Sequence, residues 1–184
     1  MITQADKKDA LRCIELLNLA MDEIAFALSG SSDILKSNEI LTSFFMQDVN
    51  RLSYKNVYVF KLENKIVGAV CAYCGGDIKM LDAPILAHLQ KHNLNAKIDK
   101  ECFEDEFYID SVAVDEKFRG RGIASELIKF TFEAAKLKGY AKVALIVDEN
   151  KVKEREFYER LGFVVDRDMI VNSHNYHHMI KEIL

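Results

Sequence analysis

Apolar residues recur along this chain with two spacings, about 3.6 and 2.0 residues, and the spacing predicts which element each stretch forms. Leu11, Ile14, Leu17, Met21, Ile24 and Leu28 fall at three- and four-residue steps, which predicts a helix. Asp6 is placed to cap it, Asp9 to favour its dipole and Gly30 to end it. Ser31, Ser32 and Asp33 restart a second helix carrying Ile34, Leu35, Ile40, Leu41, Phe44, Phe45 and Val49. Residues 2–4 form a short first strand, and residues 57–62 alternate as a second. Glu63, Asn64 and Lys65 make a turn, and residues 66–73 return as the other half of a hairpin. Gly68 inside that strand marks a bulge or a close backbone approach.

Residues 75–106 break the rhythm. They hold the only proline, Pro84, and a short helical pattern from Ile85, Leu86, Leu89 and Leu94. They read as a helical insertion between two strands of one sheet, a place where lids and interfaces are common. Residues 107–114 are then rich in β-branched and aromatic side chains, as a central strand is. A helix follows with Ile123, Leu127, Phe130, Ala134 and Leu137 inward, stopped by Gly139. Residues 143–147 are a buried strand and 152–161 a helix closed by Gly162. Strand character returns at 163–165, 169–171 and 176–184, with a turn at 172–175.

The stretch on which the rest is organised is 108–129: strand, then Arg119-Gly120-Arg121-Gly122-Ile123-Ala124, then amphipathic helix. Such a turn points backbone N–H groups at an anion, and glycine lets the backbone approach without a Cβ clash. No Gly-Lys-Ser/Thr follows, so this is not a P-loop. The turn comes mid-chain after an antiparallel hairpin, which disfavours a dinucleotide fold.

Composition narrows the classes. With 184 residues the chain fits one domain, 1–184. Its net charge of −4 gives no basic field for nucleic acid. Its apolar runs are too short for a membrane span, and the first residues lack a signal-peptide layout. Cys13, Cys71, Cys74 and Cys102 are expected as free thiols in a reducing, cytoplasmic compartment, since Cys71 and Cys74 lack two further zinc ligands. His88 and His92 lie one helical turn apart, but no third metal ligand is evident. His174, His177 and His178 near the last strand are expected at the surface or at an acceptor site. Glu101, Glu104, Asp105, Glu106 and Asp110 form an acidic run, either solvated or suited to attract a cationic amine.

Two motifs in order carry a family resemblance. Residues 119–124 match an Arg/Gln-x-x-Gly-x-Gly/Ala signature, and 157–163 (Phe-Tyr-Glu-Arg-Leu-Gly-Phe) match a Tyr-x-x-x-Gly-Phe signature. The chain thereby resembles the GNAT superfamily of N-acetyltransferases over nearly its whole length. The resemblance implies an α/β (α+β) fold with a mixed, mostly antiparallel sheet flanked by helices and splayed at the coenzyme site. It implies acetyl-CoA as co-substrate, with pyrophosphate on Arg119, Gly120, Arg121, Gly122, Ile123 and Ala124, or with Arg119 bracing the loop instead. The pantetheine arm would pair with Val112, Ala113 and Val114, and the Val112 amide would serve as oxyanion donor. Tyr158 matches the family's acid, against a packing role. Asp110 matches a carboxylate of polyamine-type members, and Glu106 lies near a glutamate of protein N-terminal acetyltransferases; either is a candidate base, against structural or solvated roles. The family's usual Asn sits seven residues before the tyrosine; here that residue is Lys151, and Asn150 falls one position early. Asn150 binds coenzyme only if the loop shifts; otherwise it shapes the turn. The implied reaction is N-acetylation of a small-molecule amine, cationic, polyamine- or aminoglycoside-like. The alternatives are a protein or peptide acetyltransferase and a non-catalytic acyl-CoA sensor. A homodimer is a common state of the family.

Overall fold

The computed structural model describes residues 1–21, 23–92 and 96–184; Leu94, expected in a helical pattern, lies outside them. The first apolar stripe is helical on both sides of residue 22, as α1 (Ala10–Met21) and α2 (Glu23–Ser29). Asp6 and Asp9 form a capping box on the short turn ahead of α1. Gly30 ends α2 in the left-handed region, at φ 70°. Asp33 caps α3 (Ile34–Phe45), which stops before the exposed Val49.

The strands are β1 (Ile2–Gln4), β2 (Val57–Leu62), β3 (Lys65–Cys74), β4 (Phe107–Val114), β5 (Lys142–Asp148), β6 (Val164–Val171) and β7 (His174–Glu182). They form one sheet in the order β1-β2-β3-β4-β5-β7-β6. The described pairs are antiparallel except β4–β5, which is parallel. The β2–β3 hairpin turns on Glu63 and Asn64, both with positive φ, and β6–β7 on Asn172 and Ser173.

α1 to α3 and α4 (Ile78–His92) cover one face, where Ile14, Leu17, Phe45, Ile85 and Tyr108 are buried. α5 (Ile123–Leu137) covers the other, with Phe107, Leu127, Phe132 and Phe163. The buried stripe of α5 runs through Ile123, Leu127, Ile128, Thr131, Phe132 and Ala135, and Leu137 is 90% exposed. The expected stripe was therefore correct at its start and rotated at its end. Gly68 lets α5 sit this close, since a Cβ there would meet Ile123 and Leu127 at 3.1 Å. Burying a leucine such as Leu127 contributes about 1.5–3 kcal/mol, and here it also anchors the N-terminal end of α5 over β3 and β4.

Two irregularities in the sheet matter for function. β4 and β5 pair only at Phe107–Val143 and Tyr108–Ala144 and then diverge. In β4, Cys71 faces Ser111 while Ala72 faces Ile109, so Asp110 is the extra residue of a bulge. The segment between β3 and β4, expected as a one-helix insertion, carries α4 with Pro84 inside it.

Candidate active site

Where β4 and β5 part, a cavity of about 380 Å³ opens. Asp110 and Val112 line it from β4, and Ile146, Val147 and Asp148 from β5. Lys151, Glu154 and Tyr158 enter from the start and middle of α6 (Val152–Arg160). Leu19 to Met21, Glu23 and Ile24 close one side, and Asn172, His174 and Tyr176 of the β6–β7 hairpin close the other. His174 Nε2 lies 3.3 Å from a Glu23 carboxylate oxygen, so hairpin and helix meet at the edge of the cavity.

The bulge breaks the alternation of β4. Alternation along β4 would put Asp110 and Val112 on one face. Instead Asp110 accepts a 2.7 Å hydrogen bond from Tyr73, on the α1 side, while Val112 packs towards α5. Both still border the cavity, from opposite sides of the strand. Burial pushes the Asp110 carboxyl up to about 6, against the opposing pull of Arg51. A carboxylate with that proton affinity is suited to accept a proton near neutral pH.

Glu106 is placed elsewhere. It does not border the cavity; its carboxylate accepts from the Phe103 amide at 3.0 Å and meets His178 Nε2 at 3.1 Å. Neither partner is at the surface, for Glu106 is 1% exposed and His178 fully buried. The expected solvated strand end and surface histidine are thus a buried pair. Of the acidic run, Glu101 and Asp110 reach the cavity, and Glu104 and Asp105 are exposed. His177 pairs with Asp168 at 2.7 Å, and His174 is the histidine at the cavity. His88 and His92 bond the backbone oxygens of Ser29 and His88.

Tyr158 borders the cavity with its ring against Phe157 and Phe163. Burial, with the nearby Glu154 carboxylate, pushes its phenol up to about 12. Asn150 is exposed and its amide groups bond Asp148 Oδ1 at 2.8 and 3.1 Å, so it shapes the turn before α6.

At the other end of β4, Gly120 and Gly122 have φ of 75° and 79°, with no atom within 4 Å of a built Cβ. Gly122 caps α5 without any side-chain bond, and the first bond of that helix is Glu126 N–H to Gly122 O at 3.0 Å. The N–H groups of Ile123, Ala124 and Ser125 therefore have no helical carbonyl to bind. Arg119 has the bonds of a brace: its amide donates to Glu116 O at 3.3 Å, and its Nε donates to Val114 O at 3.2 Å. It braces the loop. Arg121 lies over the Phe118 ring at 5.2 Å. Beyond Tyr108 the β5-facing edge of β4, including Val112 to Val114, has no strand partner. An unpaired edge leading to a free helix N-terminus fits an extended amide-bearing arm ending in a pyrophosphate.

Arg51 was not among the expected site residues. It is fully buried and bonds Asp82 and Glu101 while approaching Asp110. No local pattern marks it, because its partners lie 31, 50 and 59 residues away. Among the described residues, no group of three or more His, Cys, Asp or Glu side chains could hold a metal, and no helix is long and apolar enough to cross a membrane. The four cysteines are free thiols.

This architecture is that of an acyl-transfer fold, and comparison with known proteins gives the family. The profile of the acetyltransferase (GNAT) family matches residues 38–163, and the chain belongs to that family. It is 31% identical over 75 residues to GCN5-related N-acetyltransferase 6, chloroplastic, of Arabidopsis thaliana, covering 41% of this chain and 26% of that protein. It is 34% identical over 56 residues to N-alpha-acetyltransferase 30 of Schizosaccharomyces pombe, covering 30% and 37%. The chain thus spans well under half the length of these relatives. A crystallised acetyltransferase matches with TM-score 0.81 and 27% identity over 100% of both chains. An N-acetyltransferase from Staphylococcus aureus Mu50 matches with TM-score 0.84 and 23% identity, over 98% of this chain and 100% of that one.

Proposed function

We propose that the protein moves an acetyl group from acetyl-CoA directly to a primary amine of a small cationic molecule. The observation that carries this reading is Asp110, a buried carboxylate with raised proton affinity at the point where β4 and β5 part. Acetyl-CoA supplies the activated thioester when bound. Gly120, Arg121, Gly122, Ile123 and Ala124 hold its pyrophosphate, while Arg119 braces the loop. Val112, Ala113 and Val114 pair with the pantetheine arm, and the Val112 amide donates to the thioester oxygen. The amine attacks in its neutral form: its nitrogen bonds to the acetyl carbon, the carbon–sulfur bond breaks, and coenzyme A leaves as a thiolate that takes its proton from solvent. Asp110 takes the proton that the amine loses, directly or through one water. The Tyr158 hydroxyl donates a hydrogen bond to the departing sulfur.

Charge supports a cationic acceptor. Among the described residues bordering the cavity, Glu23, Glu101, Asp110, Asp148 and Glu154 face Lys151 and His174. Carboxylates in excess raise the local concentration of cations. A second reading, acetylation of a protein N-terminus, is favoured by the likeness to N-alpha-acetyltransferase 30.

A thiol-release screen with acetyl-CoA tests the reading. Diamines, polyamines and aminoglycosides are expected to release thiol faster than neutral amines and N-terminal peptides, with the difference shrinking as salt rises. Turnover confined to peptides would transfer the assignment to the second reading, and no turnover with any amine would reject both.

A further inference from the structure

Arg51 is the centre of a buried charge cluster with more negative than positive members. Its Nε and Nη2 donate to the two oxygens of Asp82 at 2.7 and 3.0 Å. Its Nη1 donates to Glu101 Oε1 at 2.8 Å and reaches Asp110 Oδ2 at 3.5 Å. Arg51 is 1% exposed, and Glu101 and Asp110 are 5% and 4% exposed at their side chains. One carboxylate would neutralise this guanidinium, and a buried charge without a partner is costly. Three carboxylates leave an excess of negative charge away from water.

The contacts distribute that excess unequally. Asp82 takes two short bonds from Arg51. Glu101 uses one oxygen on Arg51 and the other on Tyr108, whose hydroxyl donates at 3.1 Å. Asp110 has the longest contact with Arg51, and both it and the Tyr73 bond fall on Oδ2. Among the described residues Oδ1 takes no bond. Of the two carboxylates of the cluster that line the cavity, Glu101 and Asp110, Asp110 is thus the less neutralised and the one with an oxygen to spare.

We propose that Asp82 and Arg51 are positioning residues: the helix between β3 and β4 sets, through them, how tightly Asp110 holds a proton and leaves its Oδ1 free for the acceptor. This rests on the reading of Asp110 as proton acceptor. The helix α4 then acts on the reaction without touching substrate. Around Asp110, Arg51 and Tyr73 favour the ionised form, while burial, Glu101 and Asp82 oppose it. Cys71, Cys102 and Tyr108 also face it from β3, the loop before β4 and β4. Across the cavity stand Glu154 and Lys151 of the α6 end, Asp148 of β5, Glu23 of α2, and His174 and Tyr176 of β7.

Two near-isosteric variants move Asp110 in opposite directions. Asp82→Asn removes a carboxylate and turns more of the Arg51 charge towards Asp110. Tyr73→Phe removes the hydroxyl that stabilises the ionised form. Titration of the Asp110 carboxyl carbon by NMR in the whole protein, with Asp110→Asn identifying the signal, reads both. Asp82→Asn is expected to lower the midpoint by about half a pH unit or more, and Tyr73→Phe to raise it. A midpoint that stays put or rises in Asp82→Asn overturns the proposal, since a purely structural Asp82 would change stability alone. Should Asp82→Asn fail to fold, Asp82→Ser decides: a lowered midpoint upholds the coupling and an unchanged one overturns it. The titration needs no turnover, so it is independent of the acceptor. If the midpoint moves while the acid limb of kcat/KM does not, the base role of Asp110 is overturned and its coupling to Asp82 is upheld.

Discussion

Asp110→Asn is expected to lower kcat about 10²- to 10⁴-fold while acetyl-CoA still binds. The carboxylate sits at the β4 bulge, at the edge of the cavity, with one oxygen engaged by Tyr73 and Arg51. Burial raises its proton affinity to about 6. The wild-type kcat/KM should fall tenfold per pH unit below that value, as Asp110 takes up its proton and can no longer accept one from the amine. The variant should lose this limb along with the rate. Stability should move the other way. The carboxyl of an unfolded chain titrates near about 3.9, below its folded value. The stabilising contribution of this group is therefore full below about pH 4 and is lost as pH rises through about 6. At pH 8 the native protein holds an ionised Asp110 against burial and two neighbouring carboxylates, and asparagine removes that opposition. Asn also retains an oxygen to accept from Tyr73. Thermal melting at pH 8 should thus place the variant at or above the wild type. A variant that loses activity because it unfolds would indicate a structural role instead.

Tyr158→Phe is expected to lower kcat about 10- to 100-fold, the worth of one hydrogen bond to a developing charge, with the KM for acetyl-CoA unchanged. The ring should stay in place, because its contacts with Phe157 and Phe163 do not involve the hydroxyl. A phenol pushed up to about 12 remains protonated through the working pH range. Full proton transfer to a thiolate of ordinary affinity, near about 8.5, would be uphill. Donation without transfer is the role that this geometry and proton affinity allow. No basic limb from Tyr158 should therefore appear below about pH 11. Steady-state kinetics with the best amine of the thiol-release screen measures both points. A protein that only senses acyl-CoA would have no turnover for this substitution to reduce.

The parts of the site that could be read in the sequence are those encoded locally. The residues from Arg119 to Ala124 spell a strand-to-helix turn in six consecutive positions, and φ at both glycines is left-handed. The order of strands and helices followed from periodicity, because each element buries one face. What escaped was set by contacts between distant positions. Asp110 could be placed on β4, but its bulge exists only in the register against Cys71 and Ala72. Arg51 looks like any surface arginine until Asp82, Glu101 and Asp110 converge on it from three further segments. Glu106 and His178 read as polar and exposed, and their burial depends on each other across 72 positions. Leu137 matched the expected period of α5, yet the buried stripe runs through Thr131, Phe132 and Ala135 and leaves it exposed.

Thermal melting with and without acetyl-CoA addresses the coenzyme site most directly. The unpaired edge of β4 and the open N-terminus of α5 make a site formed in the folded chain and lost on unfolding. At 100 times its Kd a ligand of that kind adds about 2.7 kcal/mol, or about 5–10 °C for a chain of this size. The account predicts that rise with acetyl-CoA. An unchanged melting temperature at millimolar acetyl-CoA would contradict it.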